Sequence, residues 1–184
     1  MAKRVALAQL REDNRCLVES ALAASGEAYA PYSGFAVGAA VRTKSGRVYV
    51  GANVENAAYA VVICAEVSAV AAANAAGDFE IEAVAVAGHK FYPFRDTSQV
   101  VTPCGRCRQV IFEASEVSGT DVQIFSCNGK LSHITESKIS ELLPRAFGPR
   151  TLGLAKRWPK MRRVLRATVA RLQAGTRISR KRKR

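Results

Sequence analysis

The chain has 184 residues with 28 Lys and Arg against 15 Asp and Glu, a formal net charge of +13. That charge is not spread evenly: residues 150–184 hold 14 of the basic residues and no acid, leaving 14 basic against 15 acidic residues before them, so the tail alone sets the pI. A body of roughly 150 residues suits one domain with a buried core. The apolar run after Lys3-Arg4 is cut by Gln9, Arg11, Glu12 and Asp13 and is far too short for a secretory h-region, so no signal is expected there, and Glu66, Ser68 and Asn74 interrupt the most apolar stretch, residues 57–76, which reads as a buried helix entry and not as a membrane span.

Apolar positions recur at helical spacing over residues 5–24 and stop at Ser25-Gly26. Residues 36–54 read as two strands around Lys44-Ser45-Gly46, a hairpin signal. A helix over Cys64 to Ala76 is followed by Gly77, and Ile81 to Ala87 reads as a short strand. Residues 89–98, His89-Lys90-Phe91-Tyr92-Pro93-Phe94-Arg95-Asp96-Thr97-Ser98, suggest a long aromatic loop, either a lid or a surface cover for a neighbouring subunit. Gly105 to Ala114 reads as a helix and Asp121 to Phe125 as a strand, and such interleaving implies a layered α/β domain. In the tail, Trp158, Met161, Leu165, Val169 and Leu172 recur at helical intervals while Arg162, Arg163, Arg166 and Arg171 occupy other faces. A basic amphipathic segment of this kind suits RNA, DNA or an anionic membrane surface, or is a solvated extension with no dedicated partner.

Cys64-Ala65-Glu66 and Pro103-Cys104-Gly105-Arg106-Cys107 carry the chemistry. Alone, the C-x-x-C pair reads equally as a redox couple or as half of a structural zinc site. With a third cysteine and an adjacent glutamate it matches the zinc deaminase signature, in which the Glu is not a ligand. Catalytic zinc keeps three protein ligands and leaves a fourth position for water, whose pKa it lowers. Cys64, Cys104 and Cys107 are the candidate ligands and Glu66 the candidate proton shuttle for replacing a ring amine by oxygen. Cys16 and Cys127 lie outside the motif and are expected as small buried hydrophobes, and His89 and His133 as surface or loop residues. Cysteines committed to a metal point to a reducing, cytoplasmic setting.

The two metal blocks stand among Ala30-Pro31-Tyr32-Ser33-Gly34-Phe35-Ala36-Val37-Gly38-Ala39-Ala40, Asn53-Val54-Glu55-Asn56-Ala57 and Leu142-Leu143-Pro144-Arg145-Ala146-Phe147-Gly148-Pro149. In these blocks the chain resembles the cytidine deaminases of the short-chain, three-cysteine type, from about residue 30 to residue 149. The resemblance implies hydrolytic deamination of cytidine and deoxycytidine with Zn2+ in a homotetramer. It also implies a three-layer α/β/α sandwich around a mixed five-stranded sheet over residues 1–149, to which residues 150–184 append a basic, partly helical tail. It assigns Asn53 and Glu55 to the ribose hydroxyls, the Ala65 amide to the pyrimidine carbonyl and the Thr102 carbonyl to the leaving amine. Phe35 and Phe147 match aromatics that line the nucleoside site, Phe147 in a neighbouring subunit's pocket. By pattern alone Phe35 is a core residue, Asn53 a turn residue and Glu55 solvent-facing.

One position departs from the family: Val67 stands where Arg usually follows the catalytic Glu. Three thiolates and a hydroxide around a divalent ion carry a formal charge of minus two, which is costly to bury without donors or positive charge nearby. Arg108, which matches the family's Arg after the last Cys, Arg106 and the helix N-termini are the candidate compensation. Blasticidin S deaminase also lacks that Arg and shares the run Pro103 to Gln109, which makes it the nearest rival, while the intact Asn53-Val54-Glu55-Asn56 block favours an ordinary ribose. A polynucleotide deaminase recruited by the tail, and an inactive zinc-bound binder suggested by Val67, are the readings from other classes.

Overall fold

The computed structural model describes residues 2–95 and 98–181, and the chain divides into two units, Met1–Ala146 and Phe147–Arg184. The first unit opens with β1 (Lys3–Val5) and a single 3-10 turn before α1 (Glu12–Ala24). The helix expected from residue 5 therefore starts later. Val5 instead pairs with Ile134 in an antiparallel ladder, a long-range partner that local apolar spacing does not reveal. β2 (Phe35–Thr43) and β3 (Val48–Ala52) form the expected hairpin, with Gly46 at φ +82°, a conformation that favours glycine. α2 (Ala65–Ala75) has six alanines, the strongest helix formers, and stops at Gly77.

β4 (Ile81–Phe91) outruns the expected Ile81 to Ala87 and turns at Tyr92-Pro93 into β5 (Phe94–Arg95). The aromatic segment foreseen as a loop is thus a β-hairpin through Arg95; Asp96 and Thr97 lie outside the described residues. α3 (Gly105–Ser118), β6 (Gln123–Asn128), β7 (Ile134–Lys138) and the short α4 (Ile139–Leu142) complete the unit.

The sheet runs β1-β7-β6-β4-β2-β3, with β5 on the end of β4. It is mixed, as expected: β4 and β6 are parallel and joined through α3, and the other pairs are antiparallel. It has seven strands where five were expected, because three-residue β1 and two-residue β5 extend the five longer ones.

Side chains alternate between the sheet faces. On one face Ala40, Ala83, Ala85 and Phe125 meet Leu17, Val18 and Ala21 of α1. On the other, Ala39, Val41, Val84 and Ile124 meet Ala65 and Ala69 of α2 and Ile111 and Ala114 of α3. This is the three-layer α/β/α sandwich, and each fully buried Leu or Ile in it contributes about 1.5–3 kcal/mol. The small strand residues let the helices approach closely. At Gly51 of β3 an added Cβ would lie 2.7 Å from the Ala65 carbonyl oxygen, so only glycine lets α2 begin this near the sheet.

In the second unit, α5 (Leu154–Lys181) is a 28-residue helix that includes the stretch from Trp158 to Leu172.

Candidate active site

Two helix starts build the site. Cys64 caps α2 and Cys104 caps α3, each in extended backbone with ψ of 152° and 170°. Cys107 lies three residues beyond Cys104, on the same face of the first turn of α3. The three Sγ atoms lie within 4.8 Å of one another, with Cys64 to Cys104 at 3.9 Å and Cys104 to Cys107 at 3.5 Å. Tetrahedral zinc with Zn–S bonds of about 2.3 Å requires sulfurs about 3.8 Å apart, and the two separations bracket that value. All five cysteines are free thiols, and three converging sulfurs are the soft donor set that zinc takes.

The electrostatics favour holding a cation there. The positive ends of the α2 and α3 dipoles converge on the sulfurs. Partial burial disfavours the Cys104 thiolate, yet the first-turn amide and thiol of Cys107 and the Arg106 amide hold its pKa below the ordinary thiol value. Burial raises Cys64 and Cys107. Arg106 donates from Nη2 to the Val62 carbonyl at 2.6 Å and lies 3.6 Å from Cys64 Sγ. Arg108, foreseen together with Arg106 and the helix N-termini as candidate compensation, hydrogen-bonds the backbone: Nε donates to the Pro103 carbonyl at 2.8 Å and Nη1 to the Leu142 carbonyl at 3.1 Å. It braces the peptide just before Cys104 and ties α3 to the last residue of α4.

Glu66, the second residue of α2, is only 4% exposed. Burial holds its carboxyl above the ordinary carboxylate range, against the opposing pull of its own amide, the Cys107 thiol and Arg106. Ala65 opens α2, so its amide has no intrahelical acceptor.

Asn53 does not end a turn. Its Oδ1 accepts from the Val37 amide at 2.9 Å and its Nδ2 donates to the Phe35 carbonyl at 3.1 Å, extending the β2–β3 ladder by a side chain. Glu55 Oε2 accepts from the amides of Tyr32 at 2.9 Å and Ser33 at 3.1 Å. The Ser33 hydroxyl leads in lowering the Glu55 pKa, opposed by desolvation and helped by those amides and by Lys90.

A cavity of ≈ 210 Å³ gathers Asn53, Glu55, Cys64, Ala65, Glu66, Thr102 and Cys104, all foreseen from sequence. Cys107 lies buried in the first turn of α3, completing the sulfur cluster. Phe35 is half-buried on β2 and is not among the cavity residues; Val37, two residues on and on the same strand face, takes that place. Phe147 belongs to the second unit, where it is exposed. Val37, Val62, Ile63 and Val101 line the cavity without having been foreseen. Only Val37 carried a signal, the alternation that runs from Phe35. Of the cysteines outside the motif, Cys127 is buried as expected, but Cys16 is exposed on α1, where its thiol faces Glu12 Oε1 at 3.6 Å. His133 is half-buried, and His89 lies in β4 with its Nδ1 buried.

Paired helix starts presenting thiolates beside a buried carboxyl, at the mouth of a cavity sized for one ring, place the protein among the zinc-dependent deaminases of nucleobases. The family model described as "Cytidine and deoxycytidylate deaminase zinc-binding region" matches residues 11–120. A cytidine deaminase from Halalkalibacterium halodurans is 42% identical over 135 residues, covering 73% of this chain and 94% of that one. The crystal structure of cytidine deaminase from Burkholderia pseudomallei matches with a TM-score of 0.64 at 38% identity, covering 75% of this chain and all of that one. A blasticidin-S deaminase from Bacillus cereus is 34% identical over 112 residues, 60% of this chain and 76% of its own. The chain belongs to the cytidine and deoxycytidylate deaminase family, and its cofactor is zinc.

Proposed function

We propose that the protein hydrolyses cytidine and deoxycytidine to uridine and deoxyuridine with release of ammonia. The observation that carries this reading is the cavity in which Cys64, Cys104, Glu66 and the Asn53–Glu55 segment meet, with Cys107 completing the sulfur cluster beside it. Zinc, when held by Cys64, Cys104 and Cys107, supplies a water of lowered pKa. Glu66 would take one proton from the attacking water and give it to the ring nitrogen, then take that oxygen's second proton and give it to the amine, which leaves as ammonia while the ring carbonyl forms, a task suited to a buried carboxyl with raised pKa. The Ala65 amide holds the pyrimidine carbonyl, and the Thr102 carbonyl accepts from the amine. Asn53 keeps one Nδ2 hydrogen and Glu55 keeps Oε1 for the ribose hydroxyls, since Asn53 Oδ1 and Glu55 Oε2 already bind backbone. Residues fixed in this way close the ribose end around a free nucleoside and disfavour a continuing polynucleotide strand.

Residues 1–149 act as the catalytic domain and 150–184 as a separate basic appendage, in line with the division after Ala146. Exposed Tyr29, Tyr32, Tyr59, Tyr92 and Phe94 in the first unit support burial between subunits of a homotetramer, with Phe147 supplied to a neighbour's pocket. Free thiols at the site fit a cytoplasmic enzyme of pyrimidine salvage.

The test incubates zinc-loaded protein and its Glu66→Ala variant separately with cytidine, deoxycytidine and blasticidin S, following ammonia and the ultraviolet change from cytosine to uracil. Nucleoside turnover that vanishes in the variant supports the assignment. Turnover of blasticidin S alone transfers the protein to the rival activity, to which Val67 and the Pro103 to Gln109 run point.

A further inference from the structure

α5 combines two properties that the deaminase chemistry does not use. At 3.6 residues per turn, Trp158, Met161, Leu165, Val169 and Leu172 fall within an arc of about 80° on one face. Met161, Leu165, Val169 and Leu172 are 44–67% exposed. Every acidic residue of the chain precedes residue 150, so the rest of the helix circumference is basic or neutral. Phosphate binding requires the cations but gains nothing from an exposed Met, Leu and Val stripe. A second copy of the helix would bring like charge against like charge. A surface with anionic headgroups over a hydrocarbon layer answers both features at once. No helix among the described residues is long and apolar enough to cross a membrane, so α5 meets such a surface only by lying along it.

We propose that α5 is an interfacial helix that binds anionic phospholipid membranes, with the stripe from Trp158 to Leu172 entering the acyl boundary and the flanking arginines and lysines on the headgroups. The catalytic unit is thereby held at a membrane surface.

Trp158 is the single tryptophan of the chain and reports directly on its own burial. The full-length zinc protein is mixed at physiological ionic strength with vesicles of phosphatidylcholine alone, or of phosphatidylcholine with an equal part of phosphatidylglycerol. Sedimentation and Trp158 emission are recorded. The expected result is co-sedimentation and a blue shift with the anionic vesicles only. The double variant Leu165→Gln, Val169→Gln keeps the charge and uses a good helix former. It is expected to bind the anionic vesicles roughly tenfold or more weakly, since two large apolar side chains no longer enter the acyl layer. Its thermal melting and cytidine turnover should match those of the parent chain. Absence of vesicle binding overturns the proposal. So does binding that the double variant retains in full without a blue shift, which would mark simple charge adsorption. Tighter binding to a single-stranded oligonucleotide than to the anionic vesicles, unchanged in the double variant, would assign the helix to nucleic acid instead.

Discussion

Arg106 Nη2 sits 2.6 Å from the Val62 carbonyl and 3.6 Å from Cys64 Sγ, so the guanidinium nearest the sulfur cluster comes from α3 and not from the position after Glu66. Val67 leaves that position uncharged. The geometry moves the neutralising charge from one helix to the other: Arg106 both pins the chain just before Cys64 and faces its sulfur. Thiolate proximity in turn raises the Arg106 pKa, led by its hydrogen bond to Cys64.

Removing that charge should therefore loosen the metal. Arg106→Gln is expected to lower zinc affinity by roughly 10–100-fold, the usual effect of losing a group that supports a metal's ligands. Arg106→Lys should recover only part of it, because an ammonium does not reproduce the planar fork shared between carbonyl and sulfur. Competition with a colorimetric zinc chelator measures this directly. If Arg106→Gln holds zinc as tightly as the parent, the charge resides elsewhere. Adding Val67→Arg to Arg106→Gln should restore affinity.

Glu66→Gln preserves size and burial but cannot carry the proton. Turnover of cytidine is expected to fall by about 10²–10⁴-fold with zinc content unchanged, the range for loss of a positioned acid–base group. Metal analysis alongside kcat separates the two effects. A variant that loses zinc as well would mean that Glu66 supports the cluster.

Glu55 ties the proposed ribose contact to the loop at Tyr32 and Ser33. Glu55→Gln should raise KM for cytidine more than it lowers kcat, because it replaces an acceptor of two backbone amides and a ribose contact with a group that also donates. The Glu55 pKa lies below the ordinary value, so its contribution is complete above the unfolded glutamate pKa of about 4.3 and is lost as pH falls from there through the folded value. Cytidine KM measured across mildly acidic pH should accordingly show no inflection from this group.

Asp78 is the corresponding anchor of the β2–β3 hairpin. Its Oδ2 accepts from Thr43 at 2.7 Å, Ser45 at 2.6 Å, Arg47 Nε at 3.0 Å and Tyr49 at 3.3 Å. Burial opposes its ionisation, but Ser45, Thr43, Arg47 and Tyr49 outweigh that and lower its pKa. Its stabilisation is present above the unfolded aspartate value of about 3.9 and disappears as pH falls from there through the folded value. Asp78→Ala should cost about 2–3 kcal/mol at neutral pH, seen as a melting temperature lower by roughly 5–10 °C. The gap between variant and parent should narrow in strong acid.

The metal ligands were legible because each belongs to a local pattern: Cys64 and Cys104 open helices, and Cys107 follows by one turn. The fold was legible wherever periodicity was local, as in the hairpin at Lys44-Ser45-Gly46 and in α2 up to Gly77. It was not where partners are distant. Val5 reads as helical from its neighbours and becomes a strand only because Ile134 lies beside it. His89 and Lys90 continue β4 because Ala36 and Phe35 pair with them across the sheet. Ile134–Lys138 of β7 is short and mostly polar and carries no strand pattern of its own, its strand character coming from β6. Val62, Ile63 and Val101 enter the cavity from irregular segments that have no period to read.

Gly51 joins the sheet to the metal and gives the last prediction. An added Cβ there would meet the Ala65 carbonyl oxygen and the Ser68 Cβ, each at 2.7 Å, together with the Ala69 amide nitrogen. Two of these three are backbone, so relief requires α2 to move outward. The helix carries Cys64 at its first cap, whereas Cys104 and Cys107 ride on α3 and stay behind. Gly51→Ala should therefore open the Cys64 to Cys104 separation of 3.9 Å as well as destabilise the core. The expected outcome is a zinc affinity lower by at least about tenfold, with loss of turnover that excess zinc partly restores. Zinc titration followed by cytidine kinetics distinguishes this from ordinary destabilisation, which would lower the melting temperature and leave zinc affinity where it was.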